Sequence, residues 1–238
     1  MGAERSLRSE RHSGPAAVLW DMDGTLVDSE KLWTVSLVDT AHWLGGELSQ
    51  SARDAMIGSN MARTLVLMFD DLGVTPEPEQ VKETERYLSD RTAELFAQGL
   101  PWRPGAQEAL QLVGAAGWPM ALVTNTGRSL TESALDSIGR GYFAATVCAD
   151  EVPHGKPDPD PYLRAAALLG LAPAECLAIE DSPNGARAAQ RAGVAVLVVP
   201  CDVPVPAEPG LVLRASLAGL TLDDLRADYA QAREGRAA

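Results

Sequence analysis

Cysteine is scarce in this chain. Its 238 residues include three, Cys148, Cys176 and Cys201, with no CxxC pair. They are therefore read as buried, reduced thiols of a cytoplasmic protein. Basic charge is scarce as well: 20 Lys and Arg stand against 33 Asp and Glu, a net charge of −13. That balance argues against a nucleic-acid partner, because phosphate backbones attract basic faces. It also means that an anionic substrate must be drawn by a local site, with a cation in it, against the field of the whole protein. No apolar run approaches the roughly 18 residues of a membrane span, so no membrane partner is expected. The opening "MGAERSLRSERHSG" is charged and has no apolar centre. It is read as a flexible tail over residues 1–14 rather than a secretory signal. Internal repeats and low-complexity segments are absent from the sequence.

What is present is a series of short apolar runs that end in polar residues. They are "AAVLWD" (16–21), "WPMALVTN" (118–125), "ATVCAD" (145–150), "CLAIED" (176–181) and "VAVLVVP" (194–200). Continuous rather than alternating runs of this length predict strands buried on both faces of a sheet. Between them lie helical patterns. "DPYLRAAALLG" (160–170) closes on a glycine, and "SPNGARAAQRAG" (182–193) opens with Ser182 as N-cap and Pro183 at the first helical position. Strand alternating with helix predicts an α/β fold on a parallel sheet. From about 30 to 102 only helical spacing is found, which predicts an all-helical insert between the first and second strands. The final "LDDLRADYAQAREGRAA" reads as a terminal helix that frays.

Functional groups of parallel sheets gather at the carboxyl ends of strands. There the sequence places Asp21 and Asp23, then Thr124 and Asn125, then Glu180 and Asp181, with Lys156 in the loop "HGKPDPDPY". Asp21 and Asp23, two residues apart, project to the same side of an extended chain. Carboxylates crowded in this way are costly unless a cation sits among them. An all-oxygen donor set suits a hard ion such as Mg²⁺. Lys156 adds positive charge, and Thr124 and Asn125 add neutral hydrogen-bonding groups, so the set resembles a pocket for a tetrahedral anion. Each piece alone is an ordinary turn, loop or helix signal. Four of them in order, each after its own strand, are not.

These four segments, "DMDGT" (21–25), "LVTNT" (122–126), "GKPDPDPY" (155–162) and "IEDSPNGARAAQRAG" (179–193), resemble the motifs of the haloacid dehalogenase superfamily. The wording "DGTLVDSEKLW" and "EDSPNG" resembles its sugar-phosphate phosphatases related to β-phosphoglucomutase. The resemblance implies a Rossmann-like core at 15–29 and 103–238 with an inserted helical cap at 30–102. It implies a Mg²⁺-dependent phosphatase of small phosphorylated metabolites, sugar or polyol phosphates; the chain is expected to act as a monomer. Asp21 would be the nucleophile that forms an aspartyl-phosphate, and Asp23 the acid and then the base. Asp21, the Asp23 main-chain carbonyl, Glu180 and Asp181 would hold the metal. Thr124, Asn125 and Lys156 would bind the phosphoryl group. In the cap, Trp33, Asn60 and Arg63 are candidates for substrate contact, as are Trp102 and Arg103 at the hinge. The alternative is a phosphomutase. That group carries a cap histidine where this chain has Trp33; His42, nine residues later, reads as an ordinary helix residue.

Overall fold

A computed structural model describes residues 14–56, 59–201 and 203–237. The predicted tail, all but Gly14, lies outside the described residues. The chain forms two compact units. One comprises residues 1–27, 102–127 and 140–238, and the other residues 28–101 and 128–139.

The first unit is built on a six-stranded sheet: β1 (Ala17–Trp20), β2 (Met120–Val123), β3 (Ala145–Val147), β4 (Cys176–Glu180), β5 (Ala195–Val198) and β6 (Leu211–Leu213). The order is β3-β2-β1-β4-β5-β6, and every pairing is parallel. All residues of β1, β2, β4 and β5 are buried, as their unbroken apolar runs require. Pro119 falls just before β2. Its carbonyl still accepts the Val18 N–H at 3.0 Å, and a position before the strand is one where a proline is tolerated.

Register sets up the chemistry. Trp20 pairs with Leu122 on one side and with Ile179 on the other. One residue further along, Asp21, Val123 and Glu180 therefore stand level. The chain runs from β1 to its neighbour β2 and later returns to β1's other flank as β4, so the sheet reverses its order of winding at β1. Open α/β sheets bind ligands at such a switch point.

In the same unit the connecting helices are α5 (Ala106–Ala115), α7 (Asp160–Leu168), α8 (Pro183–Ala192) and α9 (Leu222–Ala237). Helix α8 begins as predicted: Ser182 Oγ accepts the Gly185 N–H at 3.2 Å, and Pro183 takes the first helical position. Strand β6 was not expected. It has three residues, only one of them fully buried, behind the proline-rich "CDVPVPAEPG". Periodicity has nothing to register over so short a run.

The second unit contains α1 (Glu30–Trp43), α2 (Gln50–Met56), α3 (Met61–Asp71), α4 (Pro78–Ala97) and α6 (Arg128–Ile138). Its core joins Leu37, Ala41, Leu65, Met68, Phe69 and Leu88, with Trp33 packed against them. Buried Thr40, Thr84 and Thr92 return their hydroxyls to the carbonyls four residues back, each at 2.7 Å, which removes the cost of burying them. The short α2 escaped the sequence reading because only Ala52 and Met56 of its residues are buried. Its signal was Ser49, whose Oγ accepts the Ala52 N–H at 3.1 Å and donates to Asp71 Oδ1 at 2.6 Å. No helix among the described residues is long and apolar enough to cross a membrane.

Helix α9 is tied to the sheet edge by one arginine. Arg214, directly after β6, donates from Nε to Asp228 Oδ2 at 2.6 Å and from Nη2 to Asp228 Oδ1 at 3.0 Å and Asp224 Oδ1 at 2.9 Å. Asp228 is 4% exposed, so losing its partner strands a buried carboxylate. Arg214→Ala is expected to destabilise the protein by about 1–3 kcal/mol, discounted for the partly exposed arginine, and to lower the Tm by several degrees. Adding Asp228→Asn should recover part of the loss. Thermal melts followed by circular dichroism check both, and an unchanged Tm for Arg214→Ala contradicts the assignment.

Candidate active site

The level row at the end of β1 is joined by one cation. Lys156 Nζ donates to Asp21 Oδ1 at 2.6 Å, to the Val123 carbonyl at 2.8 Å and to Glu180 Oε1 at 2.7 Å. All three ammonium hydrogens are thereby used. Burial alone would push this ammonium's pKa down, but Asp21 and Glu180 outweigh burial and hold it above the usual lysine value. The loop that carries Lys156 is fixed by Asn125. Its Oδ1 accepts the Lys156 N–H at 2.8 Å and its Nδ2 donates to the Lys156 carbonyl at 3.0 Å.

The acidic cluster is Asp21, Glu180 and Asp181, whose ligand oxygens lie within 4.8 Å of one another. Burial raises the pKa of Asp181 well above its ordinary value, and the neighbouring charges of Asp21 and Glu180 raise it further. Glu180, 0% exposed, is also raised by burial, against the pull of Lys156. One ammonium among three carboxylates leaves excess negative charge, and both shifts express it. Asp21 Oδ2 is buried and has no hydrogen-bond partner among the described residues. Hard oxygen donors and uncompensated charge fit a hard divalent cation.

Asp23 has a different environment. Its Oδ2 accepts from Thr124 Oγ1 at 3.0 Å and from Thr126 Oγ1 at 2.7 Å. Thr124 Oγ1 in turn accepts the Thr126 N–H at 2.9 Å. The side chains of Thr124 and Asn125, expected at a phosphoryl group, are in this structure engaged with Asp23 and with the Lys156 loop. Thr126 was missed although it stood in the quoted "LVTNT". Tyr162 was missed too. It ends "GKPDPDPY" on α7, and its hydroxyl donates to Glu180 Oε1 at 2.5 Å. Burial, then the charges of Glu180 and Asp21, push the Tyr162 phenol well above its ordinary pKa, so it stays a donor.

Asn60 Oδ1 caps α3 by accepting the Arg63 N–H at 2.9 Å, while the Arg63 side chain is exposed. Trp33 is partly buried and packs against the helical core, and His42 is exposed. Trp102 and Arg103 belong to the sheet unit. Trp102 bridges Val27, and the Arg103 N–H donates to the Leu26 carbonyl at 2.9 Å.

Two glycines make room for the carboxylates. Gly24 has φ +84°, and a Cβ there would stand 2.1 Å from Asp181 Oδ2. A Cβ on Gly185 would stand 1.9 Å from the Glu180 carboxyl group.

This geometry is a largely buried cluster of three carboxylates and one lysine at the switch point of a doubly wound α/β sheet. The chain belongs to the haloacid dehalogenase-like hydrolases, whose family model matches residues 15–193. It is 33% identical over 221 residues to hexitol phosphatase B of Escherichia coli K12, covering 88% of this chain and 96% of that one. It is 30% identical over 182 residues to the phosphorylated carbohydrates phosphatase of Thermotoga maritima, covering 75% of this chain and 82% of that one. The crystal structure of CbbY from Rhodobacter sphaeroides in complex with phosphate superposes with a TM-score of 0.79 at 27% identity, covering 89% of this chain and 99% of that one.

Gly185 offers a test by sign. Alanine for glycine within a helix ordinarily stabilises by about 0.5–1 kcal/mol. Gly114→Ala in α5, where a Cβ would find ordinary contact at 3.6 Å, should do so. Gly185→Ala should instead destabilise by about 1–3 kcal/mol, because the Glu180 carboxyl is pinned by Lys156 and Tyr162 and cannot step aside. Parallel thermal melts decide. Equal stabilisation by both substitutions rules out a rigid Glu180.

Proposed function

We propose that this protein is a Mg²⁺-dependent phosphatase that hydrolyses phosphate monoesters of sugars and polyols through an aspartyl-phosphate on Asp21. The observation that carries this reading is the asymmetry of the Asp21 carboxylate. One oxygen is held by Lys156 at 2.6 Å, and the other is buried without a partner. A nucleophile needs that arrangement: one oxygen anchored and the other free to attack.

In the first step Asp21 Oδ2 bonds to phosphorus as the ester P–O bond breaks. The leaving alkoxide takes a proton from Asp23. In the second step water attacks the phosphorus of the aspartyl-phosphate and yields its proton to Asp23. The acyl P–O bond breaks, which frees phosphate and restores Asp21. The Lys156 ammonium stays beside the reacting carboxylate throughout and offsets its charge. Thr124 and Thr126 hold Asp23 for both proton transfers, and Asn125 holds the Lys156 loop. Asp21, Glu180 and Asp181, with the Asp23 main-chain carbonyl, would hold the Mg²⁺, which supplies positive charge to the phosphoryl oxygens. Thr124 and Asn125 border the phosphoryl group in this reading.

The sugar and polyol class draws on what the relatives are named for, hexitol and carbohydrate phosphates. Substrate choice is assigned to the helical unit as a cap, with Arg63 as its candidate contact. Where phosphomutases of this group carry a cap histidine, this chain has Trp33, packed against the helical core, so water is taken as the phosphoryl acceptor.

Phosphate release with Mg²⁺ across sugar, polyol, glycolate and nucleotide monophosphates tests the proposal. A subset of sugar or polyol phosphates should be hydrolysed. EDTA should abolish the activity, and Asp21→Asn should lower it by at least about a thousand-fold. Conversion of β-glucose 1-phosphate to its 6-phosphate isomer with a bisphosphate primer, and no phosphate release, would establish a mutase instead.

A further inference from the structure

The reaction above gives no part to Tyr162, yet this side chain is wholly inside the charged cluster. It is 0% exposed, and the Lys156 ammonium lies 5.3 Å from the centre of its ring. Its hydroxyl and Lys156 Nζ converge on the same oxygen, Glu180 Oε1, at 2.5 and 2.7 Å. Among the described residues the other oxygen, Oε2, receives only the longer contacts of the Asp181 N–H at 3.3 Å and Ser182 Oγ at 3.4 Å. The carboxylate is thus oriented mainly through Oε1, and from two directions, since Lys156 comes from its loop and Tyr162 from α7.

The second donor matters because Lys156 is shared. An ammonium between two carboxylates settles towards the one whose oxygens are less satisfied. With Tyr162 donating to Glu180 Oε1, that oxygen asks less of Lys156, and the ammonium stays on Asp21 Oδ1 at 2.6 Å. Without the phenol, Glu180 Oε1 would have Lys156 alone, and its carboxyl could rotate about its last bond.

We infer that Tyr162 is a positioning residue: its hydroxyl fixes the Glu180 carboxylate, and thereby keeps Lys156 on Asp21 and the acidic cluster arranged for a divalent cation. This inference rests on the phosphatase reading. Outer partners of metal-binding groups are typically worth 10–100-fold in metal affinity or turnover.

Tyr162→Phe keeps the ring, its packing and its contact with the ammonium, and removes only the donor. Mn²⁺ binding to the purified protein, followed by electron paramagnetic resonance, and steady-state kinetics are measured for four proteins: wild type, Tyr162→Phe, Glu180→Gln and the double variant. Tyr162→Phe should bind Mn²⁺ about ten-fold more weakly and lose about ten-fold in kcat, with KM within about two-fold of wild type. In the Glu180→Gln background the same substitution should change Mn²⁺ affinity less than about two-fold, because the two residues act as one unit. A Tyr162→Phe protein that binds Mn²⁺ and turns over like wild type overturns the inference. So does an equal loss in both backgrounds, the mark of a merely structural side chain. Wild type that binds no Mn²⁺ overturns instead the metal-dependent reading on which the inference stands.

Discussion

The structure depends on one buried ammonium. Lys156 is 8% exposed and gives all three of its hydrogens to groups that β-sheet register has already set level: Asp21 Oδ1, the Val123 carbonyl and Glu180 Oε1. A buried charge with a partner missing costs several kcal/mol. The contact therefore holds only if β1, β2 and β4 end together and the loop of Lys156 returns to the same point. The parallel pairing of these three strands meets the first condition, and the two hydrogen bonds from Asn125 to the Lys156 backbone meet the second. Fold and site are in this sense one construction.

The same contact defines what the cluster lacks. Lys156 is a single positive charge among Asp21, Glu180 and Asp181, and burial makes the remaining negative charge expensive. The chain brings the carboxylates closer still by leaving out side chains. Without Cβ atoms at Gly24 and Gly185, Asp181 and Glu180 approach the backbone at places an alanine would fill. In the proposed reading these carboxylates hold a cation, and the Asp21 oxygen without a partner among the described residues meets the electrophile.

The sheet and the core motifs were legible because buried parallel strands write unbroken apolar runs, and because strand ends carry the functional groups. Asp21, Lys156, Glu180 and Asp181 meet in the structure. The partners of the flanking polar residues were not legible. Thr124 and Asn125 were read toward a ligand, yet their side chains brace Asp23 and the Lys156 loop. Thr126 and Tyr162 stood inside the quoted motifs without a role, since hydrogen-bond partners more than 15 residues away leave no mark on spacing. Helix α2 and strand β6 were too short for a period to show. Asn60, considered for substrate contact, caps a helix, a role its place before "MARTLVLMF" already suggested.

The central claim is that the partnerless oxygen of Asp21 takes the phosphoryl group. Its most direct test is chemical. The enzyme is quenched during turnover of a substrate it hydrolyses and treated with borohydride, which reduces an aspartyl-phosphate to homoserine. Peptide mass spectrometry then locates the converted residue. Homoserine at position 21, absent when substrate is omitted, is the predicted result. Turnover that leaves Asp21 unconverted, with homoserine found at another aspartate, would contradict the account.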